Sequence, residues 1–587
     1  MPTPPQSLPL LLLLLAFPLL IFCFRAEAES PPSPSSSSAS GACKSTLYPK
    51  LCRSILSAIR SSPSDPYSYG KFSMKQCLKK ARKLSKALDH FLHHTKRSSS
   101  MTDAEANAFD DCQQLSELNV DYLEAISTEL KSAELLNEEL VDKVQTLLSG
   151  IVTNQQTCYD GLVVAKSSIV NSSTSPLSVA FSNATQLYSV SLGLVTHSLA
   201  RNLKKKHKKR NGSSVSQGHK IREPLETFIE GLRKSSSKHS RDERILDEME
   251  SSGIIVNDAV IVSPHGGDNF TSIGAAIDSA PNNTNPEDGY FVIYARKGHY
   301  KEYVVVPKYK KNIMLLGDGI NKTIITGKHN FVDGWTTFNS STFDGLIYIS
   351  SLSVAAVSGE RFVAIDVTFK NTAGPEKHQA VAVRNNADFS TFYRCSFEGY
   401  QDTLYAHSLR QFYKECDIYG TVDFIFGNAA AVFQSCNLYA RKPMPNQKNA
   451  FTAQGRTDPN QNTGISIHNC TIEAAPDLAM DLNSTLNFLG RPWKIYSRTV
   501  IMQSYIGPLI SSVGWLEWNG TVGLDTLYYG EFENHGPGAN TSRRVQWPGY
   551  SLMNATQALN FTVLNFTLGD TWLPDTDIPF FAGLIEN

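Results

Sequence analysis

Apolar residues follow a helical spacing in the first part of the chain. Between residues 41 and 200 they recur every three or four positions, as on one face of an α-helix. The clearest stripe runs from Leu123 to Ile151 and predicts one long helix, with charged residues such as Asp142 on its solvent face. Shorter stripes of the same kind surround Ile55, Leu84 and Leu187. Together the stripes predict an all-α four-helix bundle over 41–200.

The pattern changes after residue 251, where short runs of β-branched and aromatic residues alternate with Gly, Asn and Asp turns. Such runs predict a mainly β domain. An aromatic residue or Ile recurs three positions before each of four cysteines, which are 21, 20 and 34 residues apart: Cys395, Cys416, Cys436 and Cys470. A period near 20 predicts an all-β right-handed parallel β-helix over 255–587, with the cysteines stacked inside it as small apolar residues.

Residues 201–254 separate the two predicted bodies. The stretch 201–244 carries 14 basic and 5 acidic residues. This composition is typical of an exposed linker, and we expect either that a processing protease cuts it or that it anchors the chain to an acidic polysaccharide. A nucleic-acid-binding patch is the alternative, but it conflicts with the secretion signal at the N-terminus, so no nucleic-acid partner is expected.

The N-terminus has the features of a targeting signal. Residues Leu8 to Phe24 are almost wholly apolar, and Ala26-Glu-Ala28 fits a small-residue cleavage site. A signal peptide over 1–28 is therefore predicted, with an uncleaved anchor as the alternative, and a Ser/Pro-rich spacer follows over 29–40. Fourteen Asn-x-Ser/Thr sequences fit a secreted protein that is glycosylated at some of them.

The formal net charge of zero conceals two unlike halves. Residues 251–587 hold 24 basic and 30 acidic side chains, a net charge of −6. A body of that charge is expected to be held only weakly by a polyanion.

Five cysteines lie in the helical part, and an oxidising compartment would allow them to pair. Cys43 and Cys52 would close a short N-terminal hairpin. Cys77 and Cys112 would join two helices and leave Cys158 free, although spacing alone leaves other pairings open.

Polar residues that share the β-helix period form a candidate catalytic group. Gln379 and Gln401 are 22 residues apart, and Asp402 and Asp423 are 21 apart, so each pair fits one coil. Two carboxylates on adjacent coils repel each other, which raises the pKa of one and leaves an acid beside a nucleophile or base. Two amides add donors for an oxyanion, which suits ester hydrolysis better than glycoside cleavage. A polar turn ladder without chemistry is the alternative.

Five short motifs, present in the family's order, resemble those of the plant pectin methylesterases. They are Gly298-His-Tyr-Lys-Glu302, Gln379-Ala-Val-Ala-Val-Arg384, Gly399-Tyr-Gln-Asp-Thr-Leu-Tyr405, Asp423-Phe-Ile-Phe-Gly-Asn428 and Leu489-Gly-Arg-Pro-Trp-Lys494. In the helical part, Thr157-Cys-Tyr-Asp-Gly161 and the four earlier cysteines resemble the invertase/pectin methylesterase inhibitors. The resemblance covers 41–200 and 255–580.

The resemblance implies hydrolysis of the C6 methyl esters of homogalacturonan in the cell wall, giving methanol and demethylated pectin, with no metal or other cofactor. Asp423 would be the nucleophile and Asp402 the general acid and base. Gln379 and Gln401 would stabilise the oxyanion, and Arg491 would orient the nucleophile. The other implied substrate contacts are Thr337, Tyr405, Phe426, Trp493 and Trp515.

Three points stay open in this interpretation. About eleven extra residues near 343–353 interrupt the family pattern and leave the placement of Thr337 uncertain. The helical domain is expected to inhibit the enzyme, or to help it fold, until the linker is cut. Alternatively, the chain or its helical domain inhibits or binds other pectin methylesterases, or the β-helix cleaves pectin as a lyase or polygalacturonase does.

Overall fold

The structure is a computed structural model that describes residues 41–59, 66–95, 101–132, 137–167, 175–207, 227, 229–231, 254–342 and 358–586. The predicted signal peptide and spacer, most of the linker and the 343–353 insertion lie outside the described residues. Within the described part of the chain, no helix is long and apolar enough to cross a membrane.

Four long helices form the N-terminal body. A short helix, α1 (Pro49–Ser57), precedes them, and they are α2 (Pro66–Thr95), α3 (Asp103–Ser132), α4 (Glu138–Val164) and α5 (Pro176–His207). Their apolar faces share one core, which includes Leu84, Phe109, Ile126, Leu148 and Leu187. The predicted four-helix bundle is confirmed, and α5 continues past residue 200 to His207.

The stripe from Leu123 to Ile151 belongs to two helices, so the prediction of a single long helix is wrong. Helix α3 ends at Ser132. Helix α4 begins after Asn137, whose side chain accepts a hydrogen bond from the Leu140 backbone N–H at 2.8 Å. An asparagine at this position satisfies a free N–H of the first turn and so starts a new helix. The apolar spacing hid the break because both helices turn their apolar faces to the same core.

The disulfides differ in part from the predicted pairing. Cys43–Cys52 is present. Cys112, however, bonds Cys158 and joins α3 to α4, so the predicted Cys77–Cys112 pair is wrong. Cys77 is a buried free thiol on α2, and its sulfur faces the backbone of α5. Sequence spacing could not decide between these pairings, because it does not show which face of each helix meets which neighbour.

Parallel strands form the C-terminal body in three sheets. Sheet A contains β1 (Val256–Val262), β2 (Tyr290–Ala295), β4 (Ile313–Gly317), β6 (Val363–Ile365), β9 (Ser390–Tyr393), β12 (Arg410–Lys414), β15 (Ala430–Gln434), β18 (Gly464–His468), β21 (Arg498–Met502), β23 (Tyr528–Phe532) and β24 (Tyr550–Leu552). Sheet B contains β3 (Gly298–Tyr300), β5 (Thr323–Gly327), β7 (Thr368–Asn371), β10 (Ser396–Glu398), β13 (Asp417–Gly420), β16 (Asn437–Ala440), β19 (Thr471–Ala474) and β22 (Tyr505–Ile506). Sheet C contains β8 (Val383–Asn385), β11 (Leu404–Ala406), β14 (Ile425–Gly427), β17 (Asn449–Gln454) and β20 (Asn487–Gly490).

The chain visits the three sheets in turn, and successive coils pair in parallel, as in a parallel β-helix. Equivalent residues stack inside it: the rings of Phe392, Tyr413 and Phe433 lie 5.1 and 4.5 Å apart. The four repeat cysteines are all buried free thiols, and the Cys416 backbone N–H points at the sulfur of Cys436. The predicted inward cysteine ladder is therefore confirmed.

Short helices complete this body: α6 (Ile273–Ser279), α7 (Pro476–Ala479), α8 (Ala555–Leu559) and α9 (Val563–Phe566). The Glu302 carboxylate accepts hydrogen bonds from the backbone N–H groups of Ile273 and Gly274 at 2.8 and 3.1 Å. Glu302 therefore supplies acceptors for N–H groups of the first turn of α6 that have no partner within the helix. The last residue of the Gly298-to-Glu302 motif thus has a structural role.

Candidate active site

The two predicted carboxylates lie on the turns that lead from sheet B into sheet C. Asp402 precedes β11 and Asp423 precedes β14, and the pairing of Leu404 with Ile425 puts the aspartates at equivalent positions of adjacent coils. Both have a positive φ, of 61° and 54°, which few residues other than glycine and Asn or Asp adopt readily. Both are nearly buried, with 8% and 5% of their surface exposed. Their separation by one coil agrees with the period of the sequence.

Arg491 holds one of the two carboxylates. It follows β20, and its Nε and Nη2 atoms donate to the Asp423 Oδ1 and Oδ2 atoms at 2.7 and 2.8 Å. The backbone N–H of Arg491 donates to the Thr452 carbonyl, which fixes the start of the side chain. This two-pronged pair is the strong form of a charge-assisted hydrogen bond and orients the carboxylate.

Burial and charge give the two carboxyl groups different acidities. Burial, together with the charge of Asp423, raises the pKa of Asp402 well above its usual range. Burial also raises the pKa of Asp423, but the hydrogen bonds and charge of Arg491 oppose that shift. Asp423 therefore loses its proton first, and the pair holds an ionised carboxylate beside a protonated one.

The raised pKa of Asp402 predicts a pH-dependent stability difference between the chain and its Asp402→Asn variant. The folded state keeps a proton on Asp402 that the unfolded state loses near pH ~4. Between that pH and the pKa of Asp402 in the folded state, the unfolding free energy of the native chain should fall relative to that of the variant. The expected slope is up to about 1.4 kcal/mol per pH unit. Denaturant unfolding of both chains across this pH range measures the difference. Parallel curves for the two chains would contradict the raised pKa of Asp402.

A cavity of about 690 Å³ brings nine of the ten predicted site residues together. The nine are Thr337, Gln379, Gln401, Asp402, Tyr405, Asp423, Phe426, Arg491 and Trp493. Among the described residues, neither glutamine amide is engaged in a hydrogen bond, so both can donate into the cavity. Tyr405 and Phe426 stack with ring centres 4.2 Å apart, and Trp493 meets Phe426 edge to face at 6.1 Å. These rings form an apolar wall of the kind that sugar faces pack against.

Trp515 is the predicted site residue that the structure places elsewhere. It is 1% exposed, packs on Tyr529 and donates from its indole N–H to Glu531 at 3.1 Å. Trp518 lines the cavity instead, and its ring lies 4.4 Å from the guanidinium carbon of Arg491. The sequence offered two tryptophans three residues apart, and the choice of Trp515 as a cleft residue is wrong. Trp335 and Phe331 also line the cavity and were missed, because no period links them to the other site residues.

The helical bundle closes one side of the same cavity. Thr157, Asp160 and Gly161, near the end of α4, line it together with the aspartate pair. The hydroxyl of Thr157 lies 3.0 Å from Nε2 of His407, and Lys494 donates to Asp160 at 2.7 Å. Burial and nearby Arg384 lower the pKa of His407 well below its usual range, so the ring is neutral at this contact. The sequence motif in α4 thus meets the cleft, which spacing alone did not predict.

The cleft of this parallel β-helix holds a buried aspartate pair, one member of which is bound by arginine. This arrangement is typical of a hydrolase with a carboxylate nucleophile. The family model "Pectinesterase" matches residues 259–570. The model "Plant invertase/pectin methylesterase inhibitor" matches residues 37–194.

Two relatives and one solved structure are similar to this chain. "Probable pectinesterase/pectinesterase inhibitor 47" of Arabidopsis thaliana is 64% identical, over 93% of this chain and 86% of the relative. "Probable pectinesterase/pectinesterase inhibitor 25" of the same plant is 63% identical, over 93% of this chain and 87% of the relative. The solved "Pectin methylesterase from Carrot" is 50% identical with a TM-score of 0.52, covering 55% of this chain and 98% of the carrot chain. This chain belongs to the pectinesterase family and is an enzyme of the form that also carries an inhibitor-like helical domain.

Proposed function

We propose that the chain removes methyl groups from methyl-esterified homogalacturonan at the Asp402–Asp423 pair, and that its helical bundle keeps it inactive until it is displaced. The observation that carries the proposal is the pair itself, two nearly buried aspartates that line a single cavity, with Asp423 held by Arg491. The names of the relatives, which are pectinesterases, support the same substrate class.

The different acidities assign the two aspartates to different steps. The ionised Asp423 attacks the ester carbonyl carbon, and the carbonyl electrons move onto its oxygen. When this tetrahedral intermediate collapses, the bond to the methoxy oxygen breaks, and Asp402 gives that oxygen its proton so that methanol leaves. Asp402, now ionised, takes a proton from water as the water attacks the acyl-enzyme. Asp423 is released as the carboxylate, and Asp402 regains its proton.

The remaining cavity residues support these steps. The side-chain amides of Gln379 and Gln401 donate to the oxyanion of the tetrahedral intermediate. Arg491 keeps Asp423 ionised and directs its oxygens. Tyr405, Phe426, Trp493 and Trp518 provide faces on which the sugar rings pack, with Thr337 as a further contact.

A regular stripe on α4 supports the inhibitory role of the bundle. Its members lie three or four residues apart, so they share one helix face. Each hydrogen-bonds the β-helix: Asp142 to Arg410, Thr146 to Asn462, Ser149 to Gln461, Thr153 to Asn428, Thr157 to His407 and Asp160 to Lys494. A polymeric substrate needs a cleft that is open along its length, whereas α4 leaves only a cavity beneath it.

The functional proposal is tested by the products formed from highly methylated pectin. An esterase releases methanol and protons and makes no new chain ends. A lyase would instead give unsaturated ends that absorb ultraviolet light, and a polygalacturonase would give reducing ends. Chain scission without methanol from the chain in its active form would contradict the proposal.

A second candidate function rests on the inhibitor-like domain. The match of residues 37–194 favours binding of this bundle to the β-helix of another pectinesterase, through the same face of α4. The predicted route remains secretion to the cell wall, with a protease cutting the linker within 201–254. The mature N-terminus of the wall-extracted protein, read by mass spectrometry, tests the route and the predicted domain boundaries together.

A further inference from the structure

A second cavity, of about 570 Å³, lies on the outer face of sheet B and is lined only by residues of the β-helix body. We call it the cationic groove, and its charged and aromatic lining residues are His299, Lys301, Tyr303, Lys328, Lys370 and Glu398. Lys370 pairs in register with Thr326 of β5 and with Glu398 of β10, so these side chains form one row across adjacent strands. Strands in a sheet are about 4.8 Å apart, so such a row presents groups at short, regular intervals.

The groove is positively charged, although the body that carries it is acidic overall. Its three lysines face one carboxylate, Glu398, which is already bound by Lys370 at 2.8 Å. Lys301 and Lys328 are exposed and have no ion-pair partner among the described residues. The Asp333 carboxylate, which interacts with Lys328, already binds Lys377, so Lys301 and Lys328 leave the groove with an excess of positive charge that favours an anionic ligand.

Three stacked rings connect the groove to the catalytic cavity. Tyr303 lines the groove and stacks on His329, with ring centres 3.7 Å apart. His329 stacks in turn on Trp335, at 3.6 Å, and Trp335 lines the catalytic cavity. Burial and the charge of Lys328 lower the pKa of His329 to about 4, so the stack is uncharged at neutral pH. A column of stacked rings therefore connects one site to the other.

We propose that the cationic groove binds de-esterified galacturonate units of a pectin chain. Lys301 and Lys328 bind the carboxylates, and Tyr303 packs against a sugar face. This binding rests on the proposed function in one respect, since that reaction creates the carboxylates that the groove would hold. A polymer that leaves de-esterified units in the groove would present its next methyl esters past the stacked rings to the cavity that holds Asp423.

Binding of a short, fully de-esterified galacturonate oligomer to the full chain tests the proposal, because α4 covers the catalytic cavity there. The chain is made in a bacterial periplasm, which permits disulfides and does not add N-glycans. This host is chosen because Asn321 of the groove begins an Asn-x-Thr sequence, where a glycan would obstruct the groove. We expect Lys301→Glu with Lys328→Glu to weaken calorimetric binding at least tenfold. The control pair, Lys79→Glu with Lys83→Glu on the exposed face of α2, makes the same charge change and should leave binding unaltered.

Two results would overturn the proposal. One is equal affinity of the groove variant and the control variant for the de-esterified oligomer. The other is equal affinity of the native chain for this oligomer and for its fully methyl-esterified form. Binding needs no turnover, so the two proposals can fail separately. Methanol release without an effect of the groove variant on binding would contradict only the groove proposal. Binding at the groove without methanol release would contradict only the proposed reaction.

Discussion

Replacing Asp423 by asparagine should lower kcat for methanol release by at least about 10⁴-fold, since loss of a catalytic nucleophile typically has effects of this size. An amide has almost the shape of the carboxylate and can still receive one hydrogen bond from Arg491, but it cannot attack the ester. The measurement is methanol released from highly methylated pectin, in whichever chain background is the most active.

The chain offers a closely matched control for this change. Asp366 is also buried, has a φ of 60°, and receives two hydrogen bonds from one arginine, Arg394, at 3.0 and 2.8 Å. It does not line the catalytic cavity. Asp366→Asn should therefore reproduce the structural effect of the lost ion pair while kcat stays within a few-fold. Substantial turnover by Asp423→Asn, or an equal loss in both variants, would contradict the assignment of the nucleophile.

Forcing the bundle away from the cleft should raise kcat/KM on pectin by about 100-fold or more. A Cβ atom at Gly150 would lie 2.9 Å from the Leu409 side chain, so Gly150→Trp cannot be accommodated in the closed arrangement. Asp142→Arg adds a second guanidinium beside Arg410, which is 2% exposed and donates to Asp142 at 2.6 Å as well as to Asp388. Overpacking alone destabilises a contact by about 1–3 kcal/mol. With the charge repulsion, a total of about 3 kcal/mol corresponds to that 100-fold effect.

The control for the bundle variant introduces the same two side chains on exposed helix surface, as Glu139→Trp and Asp89→Arg. Both chains are assayed with the linker intact, and mass spectrometry verifies that residues 41–200 are retained. The control should remain as inactive as the native chain. If the native chain, still carrying its bundle, released methanol as fast as the Gly150→Trp and Asp142→Arg chain, inhibition by the bundle would be disproved.

Much of the β-helix and its aspartate pair was predictable because both depend on a short period. Each coil of about 20 residues closes beside the preceding one, so residues one period apart must be neighbours, as Asp402 and Asp423 are. The cysteine ladder follows for the same reason. The helical spacing similarly predicted the apolar faces of the bundle, although it missed the capped start of α4 at Asn137.

Features that depend on contacts between distant segments were not predictable in this way. The pairing of Cys112 with Cys158 depends on which helices are neighbours. The burial of Trp515, while Trp518 lines the cavity, depends on Glu531, which accepts a hydrogen bond from the indole N–H of Trp515. No period relates these residues, so the patterns along the chain carried no information about them.

The sequence by itself determined the two folds, the family motifs and the pair of carboxylates on adjacent coils. Only the tertiary structure decided that α4 lies across the cleft and that Asp142, expected to face solvent, binds the buried Arg410. The physical reason is that a polar residue on a helix has the same sequence signature whether its partner is water or a group on another domain. Arg410 lies 268 residues further along the chain, and only the packing of the two bodies brings its charge next to Asp142.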